Sequence, residues 1–161
     1  MQIVIREYRP ADLPQMTAVW NYVVEKGDAF PQITPFCEND AAQFFKGQSF
    51  TGVAQLEDEI AGLYILHPNN VGRCGHLSNA SYAVRPDYRG LHIGELLVRH
   101  SLEKAKELGF RILQYNAVVK SNTAAIHLYQ KLNFVELGVV PGGFLRKDGT
   151  YEDILLYYHA L

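Results

Sequence analysis

The chain has 161 residues, 48% of them hydrophobic and 20% charged, with a formal net charge of -2 at pH 7. That much apolar material in one domain's length supports a sizeable core and excludes a disordered chain. With no long run of Lys or Arg, nonspecific binding to a nucleic-acid backbone is disfavoured, and no stretch reaches the ~20 apolar residues of a membrane span.

Gln2 to Tyr8 alternates β-branched and polar residues and predicts an opening strand. Pro10-Ala11-Asp12 starts a helix whose apolar stripe is Met16, Val19, Trp20 and Val23. Phe30 to Phe36, with two prolines, reads as an ordered loop, followed by a short helix through Ala41 to Phe45. Two strands, Phe50 to Leu56 and Ile60 to Leu66, form a hairpin around Glu57-Asp58-Glu59. After a loop at Pro68 to Gly72, a strand covers about His76 to Val84.

A long helix from about His92 to Leu108 ends at Gly109, a favoured helix terminator. Its buried side is predicted to carry Ile93, Leu97, Ala105 and Leu108, with Glu95, Arg99 and Glu103 as an exposed i,i+4 ladder. A strand from Arg111 to Val118, a helix from Asn122 to Leu132, and strands at Phe134 to Val140 and Tyr151 to Tyr158 complete the chain. The order β-α-α-β-β-β-α-β-α-β-β predicts one mixed α/β domain over residues 1–161.

Met1 to Glu7 lacks the features of a signal peptide. Cys37 and Cys74 stand far apart and outside any CxxC pair, so reduced thiols and a cytoplasmic location are expected. His67, His76, His100, His127 and His159 fall into no HExxH or comparable pattern, and no metal site is expected.

The stretch Val84-Arg85-Pro86-Asp87-Tyr88-Arg89-Gly90-Leu91-His92-Ile93-Gly94 carries the chemical information. A strand ends, a short loop turns, and an amphipathic helix begins at once. The first backbone N–H groups of a helix have no intrahelical partner and lie at the positive end of its dipole. Gly90 and Gly94 keep side chains away where a phosphate must approach the main chain. The sequence contains no GxxxxGK[ST], no GxGxxG after its first strand and no protein-kinase signature set, so the stretch reads either as a diphosphate cradle of another type or as a tight strand-to-helix connection.

Arg89 to Gly94 resembles the [QR]-x-x-G-x-[GA] coenzyme A pyrophosphate loop of the GNAT superfamily of N-acyltransferases. Asn122 to Phe134 (NTAAIHLYQKLNF) is similar to that family's N-x-x-A-x-x-L-Y-x-x-x-G-F helix. The element order matches the family's mixed, mostly antiparallel sheet flanked by helices. Two positions depart from the pattern. His92 replaces a glycine and is expected to take ordinary helical angles, and Asn133 replaces another and is expected to tolerate left-handed ones.

The resemblance implies acetyl transfer from acetyl-CoA, as cosubstrate and without a metal, to a primary amine of a small molecule or amino acid by direct attack. It makes Tyr129 the acid that protonates the leaving thiolate. Asn122, seven residues earlier on the same helical side, is implied to hold the pantetheine or pyrophosphate arm, or to cap the helix. Ala83 and Val84 are implied to offer main-chain groups to pantetheine, and Arg89, Gly90, Leu91, His92, Ile93 and Gly94 to surround the diphosphate.

Many relatives carry a glutamate base on the strand before this loop, but Leu77 to Tyr82 has no carboxylate. Water, Glu25, Glu38, Glu152 or Asp153 then stand as alternatives. Trp20, Tyr22, Phe30, Phe36 and Phe144 are candidates to line the acceptor site or to fill the core. A second class, a non-catalytic acyl-CoA-binding sensor or interaction module, stays open beside the enzyme; Tyr129 favours the enzyme. Neither a nucleic-acid nor a membrane partner is expected, and a homodimer is left open.

Overall fold

The computed structural model describes residues 2–161. Its elements are β1 (Ile3–Glu7), α1 (Leu13–Lys26), α2 (Glu38–Lys46), β2 (Phe50–Leu56), β3 (Glu59–Pro68), β4 (Leu77–Val84), α3 (Ile93–Glu107), β5 (Ile112–Val119), α4 (Thr123–Lys131), β6 (Val135–Leu145) and β7 (Tyr151–Ala160). Short 3-10 turns at Pro10–Asp12, Gly72–Cys74 and Pro86–Tyr88 join some of them. The order agrees with the sequence reading, and Pro10 heads a 3-10 turn before α1 begins.

The strands form one sheet in the order β1-β2-β3-β4-β5-β7-β6. Every neighbouring pair is antiparallel except β4 and β5. Side chains of a strand alternate between the two faces of the sheet, so β3 feeds two cores. Leu63 and Ile65 pack with Met16, Trp20 and Phe45 under α1 and α2. Tyr64 and Leu66 pack with Ile93, Leu97 and Val98 under α3. Burying one such large side chain contributes about 1.5–3 kcal/mol, enough to hold each helix against its face.

In α1 the buried stripe is Met16, Val19, Trp20 and Val24, with Val23 only half-buried. Leu108 is a correction: it is 47% exposed, because α3 ends at Glu107 and Leu108 leaves the helical register before Gly109 (φ 88°). The expected ladder is also half made. Arg99 bonds Glu95 at 2.7 Å, but the second partner of Glu95 is Lys131 of α4, at 2.6 Å, not a residue of its own helix.

The feature that creates a site is the split between β4 and β5. Their parallel pairing covers only Leu77↔Ile112 and Ser78↔Leu113. Beyond it β4 stays with β3 as far as Val84, while β5 stays with β7 as far as Val119. A register shift in β5 between Tyr115 and Val118 adds residues on that strand, and such a bulge bends and twists it away from its former neighbour. Asn79 bridges the start of the gap, its Nδ2 donating to the Gln114 carbonyl at 3.0 Å.

Candidate active site

A cleft of about 250 Å³ opens where β4 and β5 part. Its walls come from Asn79 and Ser81 of β4, Asn116 and Ala117 of the β5 bulge, Asn122 and Tyr129 at α4, and Phe30 from the α1–α2 loop. The direction of the β4 main chain follows from two bonds to the β3 side: Asn69 N–H donates to Leu77 C=O, and Arg85 N–H donates to Ala61 C=O. Odd-numbered β4 residues therefore face β3, and even-numbered ones face the split. Ala83 turns its N–H and C=O into the β3 ladder. Ala80, Tyr82 and Val84 direct theirs to the open edge, so of the pair Ala83 and Val84 only Val84 has main-chain groups free for a ligand.

At the end of β4 the loop is anchored from below. Arg85 bonds Glu59 at 2.7 Å and Asp87 at 2.6 Å, and the Tyr88 hydroxyl donates to Glu59 at 2.6 Å. These carboxylates are held below their usual range, Glu59 chiefly by the Tyr88 hydrogen bond and Asp87 chiefly by Arg85. Arg89, Gly90, Leu91 and His92 rise above this base and are exposed.

Gly90 has φ 84° and His92, the residue before α3, has φ 57° and ψ 21°. The expectation of ordinary helical angles at His92 is thus corrected. The chain enters α3 through a left-handed residue, the conformation a glycine would take there without a steric penalty. No side chain caps α3. The first intrahelical bond of the turn is Leu96 N–H to His92 C=O, which leaves the N–H groups of Ile93, Gly94 and Glu95 unpartnered within the helix. An added Cβ at Gly90 would meet nothing within 4 Å, and at Gly94 only Leu128 Cδ2 at 3.8 Å. The space above both glycines is open, and a helix start with free N–H donors is able to hold an anion there. Asn133, the other departure from pattern, adopts φ 63°, as expected for an asparagine in that turn.

Asn122 and Tyr129 do share one side of α4, and both line the cleft. Asn122 caps the helix, its Oδ1 accepting from Ala125 N–H at 3.3 Å, which leaves its amide N–H groups for a ligand. The Tyr129 ring lies 4.5 Å from Tyr115, 5.4 Å from Phe134 and 6.0 Å from Tyr157, centroid to centroid. Tyr82 and Tyr115 spend their hydroxyls on each other at 2.6 Å. Tyr129 has no such partner among the described residues. Burial pushes its phenol well above the ordinary value, with a smaller contribution from Tyr82, so the hydroxyl keeps its proton throughout neutral pH.

A larger cavity, about 620 Å³, adjoins the cleft through Phe30, Pro31 and Ala117. Val24, Ile33, Phe144 and Leu145 give it apolar walls, and Glu25, Arg146 and Lys147 stand at its charged part. Of the candidate aromatics, Phe30 and Phe144 face these spaces. Trp20 is core, its Nε1 donating to Gln32 at 2.9 Å, and Phe36 packs on Phe44 at 4.8 Å. Tyr22 lines neither cavity.

The candidate bases separate as well. Glu25 borders the larger cavity, and Glu38 lies in the first turn of α2. Glu152 accepts from Ser121 N–H at 2.6 Å, and Asp153 from Gly142 N–H at 3.0 Å, so both serve the closing hairpin. No carboxylate lines the 250 Å³ cleft. Sequence reasoning missed His67, Asn79 and Asn116 as cleft residues; only the cross-strand register of β3 and β4 places the first two together. A third hollow, about 490 Å³, lies between the start of α3 and α4 and carries His92, Glu95, His127 and Lys131. Among the described residues no three His, Cys, Asp or Glu side chains gather to hold a metal ion.

The site is thus a sheet split beside an uncapped helix start, with Tyr129 lining the split. Residues 15–134 match the acetyltransferase (GNAT) family, and the chain belongs to it. It is 28% identical to the N-acetyltransferase aca1 of Schizosaccharomyces pombe, across 91% of this chain and 79% of that one. It is 27% identical to the L-methionine sulfoximine/L-methionine sulfone acetyltransferase of Pseudomonas paraeruginosa, across 88% of this chain and 85% of that one. Its fold superposes with a TM-score of 0.92 on a GNAT superfamily phosphinothricin acetyltransferase from Sinorhizobium meliloti in complex with AcCoA, at 23% identity, covering all of this chain and 89% of that one.

Proposed function

We propose that this protein is an N-acetyltransferase that takes acetyl-CoA as cosubstrate and acetylates the primary amine of an amino acid or similar small molecule. The observation that carries the reading is that Tyr129 lines the cleft at the β4–β5 split, its hydroxyl held neutral and without a hydrogen-bond partner among the described residues, across from the free edge of β4. A module that only bound the cofactor would have no use for a proton donor there.

When bound, the thioester supplies an activated acetyl group; everything else falls to the chain. The N–H groups of Ile93, Gly94 and Glu95 hold the diphosphate, with Arg89 and His92 beside them. Tyr82 and Val84 pair with the pantetheine amides as a missing strand would, and Asn122 holds the arm from α4. Tyr129 gives its proton to the departing sulfur. The hollow bordered by His127 and Lys131 continues from the diphosphate and takes the nucleotide end.

The acceptor enters from the 620 Å³ cavity. Its apolar walls suit a side chain, and Arg146, 50% exposed and only 3.5 Å from Glu152 in a loose pair, suits a carboxylate. The resemblance to an enzyme acting on L-methionine sulfoximine and L-methionine sulfone supports an amino-acid acceptor.

The test is a thiol-release assay with acetyl-CoA across amino acids, polyamines, aminoglycosides and protein N-terminal peptides, beside calorimetric binding and thermal unfolding. We expect acetyl-CoA to raise the melting temperature through mass action and free amino acids to release thiol fastest. Binding without release for any amine would make the protein a sensor, and no binding at millimolar acetyl-CoA would reject both readings.

A further inference from the structure

We infer that His67 is the proton acceptor for the incoming amine, the role that β4 leaves without a carboxylate; this rests on the acetyltransferase reading above. His67 lies near the end of β3 directly opposite Asn79 in the antiparallel register. Cross-strand partners share a face, and the alternation that sends Leu63 and Ile65 under α1 and α2 sends His67 to that side too. That is the side from which the acceptor cavity opens, and His67 lines the cleft itself.

The tautomer follows from one contact. His67 Nδ1 is 2.9 Å from the Pro68 carbonyl oxygen, and a carbonyl only accepts, so Nδ1 carries the hydrogen. The neutral ring then has its lone pair on Nε2, the form a general base requires. The other titratable groups on the cleft are the phenols Tyr82, Tyr115 and Tyr129, all kept neutral by burial, and neither Lys nor Arg lines it. Elsewhere the imidazoles are committed or distant: His100 Nδ1 is bonded to the Tyr64 hydroxyl at 2.8 Å, and His92 and His127 border the hollow between α3 and α4.

The protons balance as follows. The acceptor ammonium gives one proton to His67 Nε2, and the imidazolium passes it to solvent. The freed nitrogen lone pair bonds to the acetyl carbon, the carbon–sulfur bond breaks, and the sulfur takes the Tyr129 proton. The second proton lost from nitrogen restores the Tyr129 phenol, so one proton is released per amide formed.

The experiment compares the parent with His67→Gln, His67→Ala and Glu25→Gln in single turnover, using L-methionine sulfone or the best acceptor of the panel. At neutral pH His67→Gln is expected to slow transfer by about 10²-fold, with acetyl-CoA affinity unchanged. Free imidazole in the buffer is expected to restore part of the His67→Ala rate. A rate within threefold of the parent, or a loss seen in Glu25→Gln instead, overturns the assignment while leaving the acetyltransferase reading standing. A parent that binds acetyl-CoA and acetylates nothing overturns both. Independently of turnover, long-range proton–nitrogen spectra, with the His67 signals identified by their loss in His67→Gln, are expected to show hydrogen on Nδ1. Hydrogen on Nε2 would overturn the inference.

Discussion

On one side of the split, the β4 edge leaves main-chain groups at Tyr82 and Val84 outside any ladder and the start of α3 leaves those at Ile93 to Glu95, while α4 adds the side chains of Asn122 and Tyr129. On the other side, α1, the α1–α2 loop and the β6–β7 hairpin meet it with side chains such as Phe30, Phe144 and Arg146. The two halves therefore differ in what substitution can do to them. Main-chain recognition persists whatever most side chains are, and depends on a few positions where bulk must be absent. Side-chain recognition changes with each residue, which fits the proposal that this half selects the acceptor and its counterpart holds the cofactor.

The largest effect is expected where the halves meet. Tyr129→Phe removes one hydroxyl that has no hydrogen-bond partner among the described residues and keeps the stacked ring. Single-turnover acetyl transfer is expected to fall by roughly 10²–10⁴ while acetyl-CoA affinity barely moves. An unchanged rate would reduce Tyr129 to a core aromatic.

A crossed pair tests the division itself. Gly94→Val puts a branched side chain into the cradle, with only Leu128 near its Cβ, so the fold should tolerate it. Calorimetry is expected to show acetyl-CoA binding weakened by about 10–100-fold, because the backbone can no longer approach the diphosphate. Gly90→Val is the less clean variant, since φ 84° strains any side chain there. Arg146→Ala is expected to raise the acceptor KM about 5–10-fold and to leave acetyl-CoA affinity alone, as for a rim charge that pairs with a carboxylate. If the two variants exchange their effects, the halves have been assigned the wrong way round.

The smallest effect concerns His92. A left-handed non-glycine residue stores on the order of 1 kcal/mol, partly offset by the greater unfolded-state entropy of glycine. His92→Gly is expected to raise stability by no more than about 0.5 kcal/mol in denaturant titration, with the cradle intact. A destabilised variant would mean that the imidazole makes a contact worth more than the strain.

The fold was legible because its elements are long and strongly patterned. Each strand and helix lies where periodicity predicted it, to within three residues, except that β6 runs five residues past the predicted end at Val140, to Leu145. Misreadings came at ends and crossings: Leu108 fits the helical stripe but sits past the last turn, and Glu103 has the right spacing while Glu95 finds a better partner on α4. His92 was misread because identity alone does not report φ, and an entry that favours glycine can be met by another residue at a modest cost.

By itself the sequence located the pattern on which the proposed cofactor half rests, because glycines at fixed offsets mark an open helix start, and Asn122 and Tyr129 share a side of α4 by helical geometry. Only the tertiary structure decided the rest. The bulge that parts β5 from β4, the register that sets His67 opposite Asn79, and the meeting of Phe30, Ala117 and Phe144 around one cavity join residues far apart in the chain. Contacts of that kind leave no local period to read, since they depend on strand pairing and packing across the whole sheet.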